Sequence, residues 1–412
     1  MDSEPSSEAR LRHQLDVQSQ QINRVLSHHH VPATITGGTV RPRVVSFDLQ
    51  TQLAAGLERI LELKSDLKSA LGVGDVALTH DDGQWRLRVS RPDDPAVPLL
   101  KLLAANPSLP QATIPIGLAD GGRPVLLGFA GGRLGHVLIT GEVGAGKTSL
   151  LRTIGAALAL TNRQSRMQLQ ILNPKWDTGD RLTAVEFPLL PLGYLPHMLA
   201  DPAFGIEACA QIIHFLAEEM TYRRRERMQL PRIVVLMDHA LSYLEAAEPT
   251  EKSDLYRLLQ YGAQAGIHLV LATDRPDSPL LDSTIKASLS MRIIGRLNDP
   301  IVARRVAGVA VEQAPLLYGE GDFLAVSGDE VTYFQAAHIG DYDLHLKLTD
   351  LNRAAGPILL AQPYSNRPRV QIDKTKKSAT PRVFTMHDGA VDLNENTPPT
   401  SPVEDNDENL PF

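Results

Sequence analysis

The chain has 412 residues, 43% of them hydrophobic, and a formal net charge of −7, an ordinary composition for a globular protein. Its single cysteine, Cys209, excludes an intramolecular disulfide and fits a reducing compartment. No apolar run approaches the roughly 20 residues of a membrane-spanning helix, and the polar start Met1-Asp2-Ser3-Glu4-Pro5 does not read as a secretory signal, so a cytoplasmic protein with no membrane anchor is expected. The negative charge is concentrated late in the chain. Asp388, Asp392, Glu395, Glu404, Asp405, Asp407 and Glu408 fall in a stretch with no Lys or Arg, and without them the body is near neutral.

Residues 1–35 are polar and are expected to be largely disordered apart from a short helix over Leu11–Leu26. The run His28-His29-His30 reads as a solvated loop, because no Cys or carboxylate cluster joins it. Residues 36–120 read as a small α/β domain. A strand over Val44–Leu49 precedes a helix with Leu53, Leu57, Ile60, Leu61, Leu67 and Leu71 on one face. Next comes a hairpin, Val76–Thr79 and Trp85–Val89 around Asp82-Gly83, and then a short helix at Leu99–Leu103.

Residues 121–345 alternate strand and helix. Strands are expected at Val125–Phe129, His136–Thr140, Leu169–Leu172, Ile233–Met237, His268–Thr273 and Met291–Ile294, with helices over Pro202–Met228 and Lys252–Ala265. These strands are short continuous apolar runs, as required where both sheet faces are covered, so the fold class is α/β with a mostly parallel central sheet. Asp322–Val326 and Val331–Ala337 should close it as a hairpin. Residues 346–412 read as a basic linker (Arg367, Arg369, Lys374, Lys376, Lys377) followed by an acidic, disordered tail.

The chemistry concentrates at Gly141-Glu142-Val143-Gly144-Ala145-Gly146-Lys147-Thr148, which follows an apolar strand and opens a helix. This is the G-x-x-x-x-G-K-[ST] pattern in its strand–loop–helix setting. Glycines let successive N–H groups turn toward phosphate oxygens, and the helix that begins there adds its positive end. Lys147 reaches the outer phosphates, Thr148 offers a hydroxyl to Mg²⁺, and Ser149 completes the candidate nucleotide-binding set. Such a site needs a carboxylate from a neighbouring strand, and Arg232–Met237 ends in Asp238. ATP and Mg²⁺ are the expected cofactors, with Thr148 and Asp238 as metal-shell residues.

The stretch Gly266-Ile267-His268-Leu269-Val270-Leu271-Ala272-Thr273-Asp274-Arg275-Pro276 resembles the FtsK/SpoIIIE DNA translocases, the FtsK–HerA branch of RecA-like motors. So do Ile285-Lys286-Ala287, Tyr318-Gly319-Glu320-Gly321-Asp322 and Asn173-Pro174-Lys175, and together these cover roughly residues 36–340. The resemblance implies a RecA-like motor preceded by the family's small α/β domain. It also implies duplex DNA as partner, gripped through phosphates, and a ring homo-oligomer, a hexamer in the family. Arg292 falls where the family places a candidate arginine finger acting on the neighbouring subunit's ATP.

Two positions depart from the family. His239 stands where a glutamate orients the attacking water, and Asp274 stands where a glutamine senses the γ-phosphate. Both changes weaken hydrolysis on charge grounds. Three readings therefore stay open: a DNA translocase, a hydrolysis-impaired structural relative, and an FtsK-like ATPase of a secretion or conjugation system. Arg223-Arg224-Arg225-Glu226-Arg227 is a candidate DNA contact or a solvated helix face. The acidic end closing in Leu410-Pro411-Phe412 is similar to the C-terminal tip of bacterial single-stranded-DNA-binding proteins, which implies a protein partner with a basic pocket.

Overall fold

The computed structural model describes residues 7–40, 44–51, 60, 62–73, 76–81, 84–90, 97–119, 122–130, 135–175, 187–278, 283–311, 314, 317–354, 384–387 and 390–393. The chain begins with a helix, α1 (Ser7–His28), followed by strands β1 (Ala33–Val40) and β2 (Val44–Thr51). Helix α2 (Lys64–Leu71) then leads to the hairpin β3 (Val76–Asp81) and β4 (Gln84–Ser90). The four strands form an antiparallel sheet in the order β1-β2-β4-β3, with a core of its own that includes Phe47, Leu67, Leu87 and Val89. Ile22 and Leu26 of α1 are fully buried in that core, and Val31 and Ala33 extend it. The expectation of a largely disordered segment over 1–35 is thus overturned for the described residues. Fifteen polar residues among the 22 of α1 disguise a helix that needs only one narrow apolar stripe.

A second sheet holds eleven strands. Its path begins after β5 (Val97–Pro98) and α3 (Leu99–Ala105), with β6 (Thr113–Ala119) and β7 (Pro124–Gly128). The central elements follow: β8 (His136–Thr140), α4 (Lys147–Thr161), β9 (Met167–Asn173), β10 (Ala203–Phe204), α5 (Gly205–Glu226) and β11 (Arg232–Met237). Next are α6 (Ala240–Ala246), α7 (Pro249–Tyr261), β12 (Ile267–Thr273), α8 (Ser283–Ser288), β13 (Leu289–Ile294) and α9 (Pro300–Ala307). The hairpin β14 (Asp322–Ser327) and β15 (Glu330–His338) precedes α10 (Asp341–Ala354). The strand order is β10-β9-β11-β12-β8-β13-β14-β15-β6-β7, with β5 beside β15. From β10 to β13 every pairing is parallel, and from β13 onward along that path every pairing is antiparallel. Strands β8 and β12 are buried along their whole length, as their unbroken apolar runs require when helices cover both faces.

Two expected boundaries move. Val97, Leu99, Leu102, Ile114 and Ile116 lie in the core of the large sheet, so residues 97–119 pack with the second unit and not with the small sheet. The acid-rich start of α10 conceals a helix whose Leu344 and Leu348 are buried in the same core, past the expected end at 345. Strand β6 contains Pro115 and Gly117, which argue against a strand. A register shift between them accommodates the proline, and Gly117 lies so close to β15 that a Cβ would meet the Gln335 carbonyl oxygen at 2.2 Å. The basic linker and the Phe412 tip lie outside the described residues, where only the hairpin β16 (Phe384–His387) and β17 (Ala390–Leu393) is described.

Candidate nucleotide site

Parallel pairing brings the C-terminal ends of β8, β11 and β12 to one edge. Thr140 pairs with Thr273, and Met237 pairs with Leu271, so β12 lies between the strand that feeds the glycine loop and the strand that ends in Asp238. The loop itself turns through residues only glycine adopts readily. Gly146 has φ 94° and caps α4, and a Cβ there would meet the Gly321 backbone nitrogen at 2.7 Å. Val143 at the loop tip is 90% exposed.

The loop is held from three directions. The Lys147 ammonium donates to the carbonyl oxygens of Gly141 at 2.8 Å and Glu142 at 2.9 Å, folding back over the loop. The backbone N–H groups of Glu320 and Gly321 donate to the carbonyls of Gly144 (3.0 Å) and Ala145 (2.9 Å). Glu142 accepts from the Asn298 N–H at 2.9 Å and donates its own N–H to the Arg296 carbonyl. The turn Gly319–Gly321 thus buttresses the loop. It is fixed in turn by the buried Asp322 carboxylate, which accepts from the Tyr318 N–H and the Tyr333 hydroxyl. The sequence marked this turn only through resemblance; its two glycines around a residue at φ 50° were the local signal.

Thr148 and Asp238 meet. The Thr148 hydroxyl donates to Asp238 Oδ2 at 2.7 Å across 90 residues of sequence, and Asp238 is 3% exposed. A hydroxyl and a carboxylate at one point are the hard oxygen donors that suit Mg²⁺, which takes one or two protein ligands and completes its shell from water and phosphates. Thr140 Oγ1 and Asn173 Nδ2, at the ends of β8 and β9, are buried without a hydrogen-bond partner among the described residues. The residues present therefore fit a Mg²⁺–nucleotide.

His239 follows Asp238 in a left-handed conformation (φ 51°) and donates its N–H to Asp238 Oδ1 at 3.0 Å. Burial holds its imidazole below the ordinary histidine range; Lys175 and Lys147 push the same way, while Asp238 and Asp274 oppose. The same burial lowers the Lys147 ammonium, against Asp274, Asp238 and Glu142. Asp274, one residue past β12, thus contributes to the field at both Lys147 and His239. Ser149, in the first turn of α4, lies 3.3 Å from His338 Nδ1.

Arg292 lies elsewhere. It sits within β13, and its guanidinium donates to the Ala307 carbonyl at 2.6 Å, closing the end of α9 within its own chain. Arg223 is also removed from the surface: it is buried against Glu219 at 2.5 Å and donates to the carbonyls of Pro231 and Ala265. The arginine run that ends α5 is therefore not one continuous contact surface.

Known proteins place this architecture. The model of the FtsK alpha domain matches residues 1–83. The DNA translocase FtsK of Staphylococcus epidermidis is 24% identical over 350 residues, 79% of this chain and 43% of its own length. The DNA translocase SftA of Bacillus subtilis is 24% identical over 337 residues, 75% of this chain and 34% of its own. The chain is similar to the FtsK DNA translocases. It spans less than half the length of these two curated relatives. Among solved structures, the pCW3 conjugation coupling protein TcpA with ATPγS superposes with a TM-score of 0.55 at 16% identity, covering 82% of this chain and 99% of that one. The cytoplasmic domain of the type VII secretion ATPase EccC of Thermomonospora curvata gives 0.52 at 23%, covering 64% of this chain and 35% of that one. Both likenesses concern the fold. The family-model match over residues 1–83 takes in α1, which packs on the small antiparallel sheet, and the strand β1 within it. No helix among the described residues is long and apolar enough to cross a membrane.

Proposed function

We propose that this FtsK-related chain binds Mg²⁺–ATP at the Gly141–Thr148 loop and engages double-stranded DNA as an ATP-dependent translocase working in a ring of copies. The observation that carries the nucleotide reading is the 2.7 Å contact between Thr148 and Asp238 beside a lysine-closed glycine loop. When bound, Mg²⁺ supplies charge neutralisation at the phosphates. Thr148 and Asp238 hold it. Lys147 exchanges its two carbonyl partners for phosphate oxygens, a stronger charge-assisted contact. The FtsK and SftA relatives support DNA as the substrate.

The hydrolytic half carries a second reading, in which the chain binds ATP and turns it over slowly. His239 is an imidazole, its pKa lowered by burial, where the family has a carboxylate, and Asp274 brings negative charge to where the γ-phosphate must develop more. ATP hydrolysis measured with and without duplex DNA separates the two. The unaltered chain is expected to hydrolyse slowly, and the double variant His239→Glu, Asp274→Gln to gain on the order of 10²-fold, about 3 kcal/mol of barrier. DNA-stimulated turnover in the unaltered chain that the double variant does not exceed would remove the slow reading. An absence of any DNA response in both forms would remove the translocase reading.

A further inference from the structure

We propose that the N-terminal edge of the parallel sheet, opposite the nucleotide site, is a docking surface for the phosphodiester backbone of duplex DNA, formed by Arg163, Arg166, Arg224, Arg225, Arg227 and Arg232. The proposal rests on the DNA reading above and assigns a place to it. Helix α4 ends at Thr161 and α5 at Glu226; the loops that follow them return to the starts of β9 and β11, which are adjacent and parallel. Both loops therefore emerge at the same edge, a strand's length, roughly 20 Å at 3.3 Å per residue, from the glycine loop.

In residues 162–166 and 224–232 every charged residue but Glu226 is an arginine. The backbone stitches the two loops together. The Arg166 N–H donates to the Arg163 carbonyl at 2.8 Å, and the Arg232 N–H donates to the Arg166 carbonyl at 2.9 Å. Arg163, Arg166, Arg224, Arg225 and Arg227 are exposed, while Arg232 is half-buried with its Nε on the Phe129 carbonyl. Burial first, and then the like charge of Arg166, hold Arg232 below the ordinary arginine range. The single acid is already engaged by Arg225 at 2.8 Å.

The surface is also ordered. Arg224 lies 4.3 Å over the ring of Tyr261, and Arg225 lies 5.4 Å from that of Tyr222, so stacking orients both guanidinium groups. Beneath them the buried Arg223–Glu219 pair binds the carbonyls of Pro231 and Ala265, fixing the end of α5 to the loops leading into β11 and β12. A favourable helix dipole accounts for arginines in the last turn of α5. It does not account for Arg163, Arg166 and Arg232, which come from other elements and add to the same charge. Planar arginines gathered with a single acid among them, three of them oriented by a ring or a carbonyl, match a polyanion of closely spaced phosphates, about one per 1.7 Å of duplex axis.

Fluorescence anisotropy with a labelled duplex of arbitrary sequence tests this, titrated at several salt concentrations. Charge reversal in the full chain (Arg163→Glu, Arg166→Glu, Arg225→Glu, Arg227→Glu) is expected to lower affinity by more than about tenfold and to flatten the salt dependence by about three to four in slope. The corresponding Arg→Gln form should fall between, and both should bind an ATP analogue like the unaltered chain, which shows that the fold is kept. Unchanged affinity and slope in the reversed chain would overturn the proposal while leaving DNA binding in place. An unaltered chain that binds no duplex would overturn the DNA reading itself. A peptide with the sequence of residues 402–412 that binds at these arginines, where the duplex does not, would reassign the surface to an acidic protein segment.

Discussion

The two halves of the proposed nucleotide site are built differently. In the gripping half, Lys147, Thr148 and Asp238 carry the residue types the chemistry needs, and each is tied into the fold by a bond of 2.9 Å or less. In the hydrolytic half, His239 and Asp274 occupy the expected strand ends with altered chemistry: an imidazole whose pKa burial lowers and a carboxylate in place of an amide. Position and identity are thus separable. The parallel register of β8, β12 and β11 fixes where these five side chains stand, whatever their type, because Thr140, Thr273 and Met237 are set by backbone pairing. Binding and turnover are therefore expected to respond independently to substitution, and three experiments can break or sharpen that separation.

The largest effect concerns the strand that carries the loop. His136 starts β8 and is fully buried, its Nδ1 accepting the Leu269 N–H at 2.9 Å, with His268 packed nearby. Burial, and then the like charge of His268, lower it from 6.5 to about 3. A folded value below the unfolded one means the unfolded chain takes up the proton first. This contribution is complete above about pH 6.5 and is lost as pH falls toward 3, reaching on the order of 4–5 kcal/mol. Urea unfolding should show the chain less stable by about 2 kcal/mol at pH 5 than at pH 7.5, and His136→Gln should flatten that difference. Nucleotide binding is expected to fail with the fold on the acid side. An equal pH slope in the variant would show that β8 is not the acid-sensitive element.

Next is Lys147→Ala. Loss of a charge-assisted contact to phosphate, about 1.5–3 kcal/mol, should weaken binding of an ATP analogue by roughly 10- to 150-fold. Thermal stability should not fall, because burial already disfavours the Lys147 charge in the ligand-free fold. Calorimetric titration and thermal melts on one sample check both; a chain that loses stability along with affinity would tie the grip to folding and blur the separation.

The parts legible in the sequence are those whose cause is local. β8, β9, β11 and β12 appear as apolar runs because both faces are covered, and the glycine loop because its conformation demands those residues at that spacing. What stayed hidden depends on distant partners. β6 is a strand despite Pro115 and Gly117 because β15 comes close enough to exclude a side chain. α1 is held by a core contributed by β2 and β4. The support of Gly144 and Ala145 by Glu320 and Gly321 spans more than 170 residues and is written in no local pattern. Arg223 and Arg292 read as surface cations and are enclosed by backbone carbonyls that only the tertiary fold supplies.

The smallest effect tests whether the gripping half is itself optimal. Glu142 places a carboxylate one residue into the phosphate loop, where its Oε1 accepts the Asn298 N–H and its charge bears on Lys147. The bond needs an acceptor, and a charge there opposes an incoming polyphosphate. Glu142→Gln keeps an acceptor of the same reach and removes the charge. At a half-exposed site a unit charge contributes on the order of 0.5–1 kcal/mol, so affinity for an ATP analogue should rise about two- to fivefold at low salt, and less as salt screens it. Melting temperature should hold, since the Asn298 contact survives. Glu142→Ala provides the contrast: the same charge is removed together with the bond, so the loop loses about 0.5–1.5 kcal/mol of support and the gain in affinity should shrink or vanish. If both variants bind alike, the Asn298 contact does not order the loop. If neither binds more tightly than the unaltered chain, Glu142 lies too far from the phosphates for its charge to matter, and the gripping half is limited by geometry and not by charge.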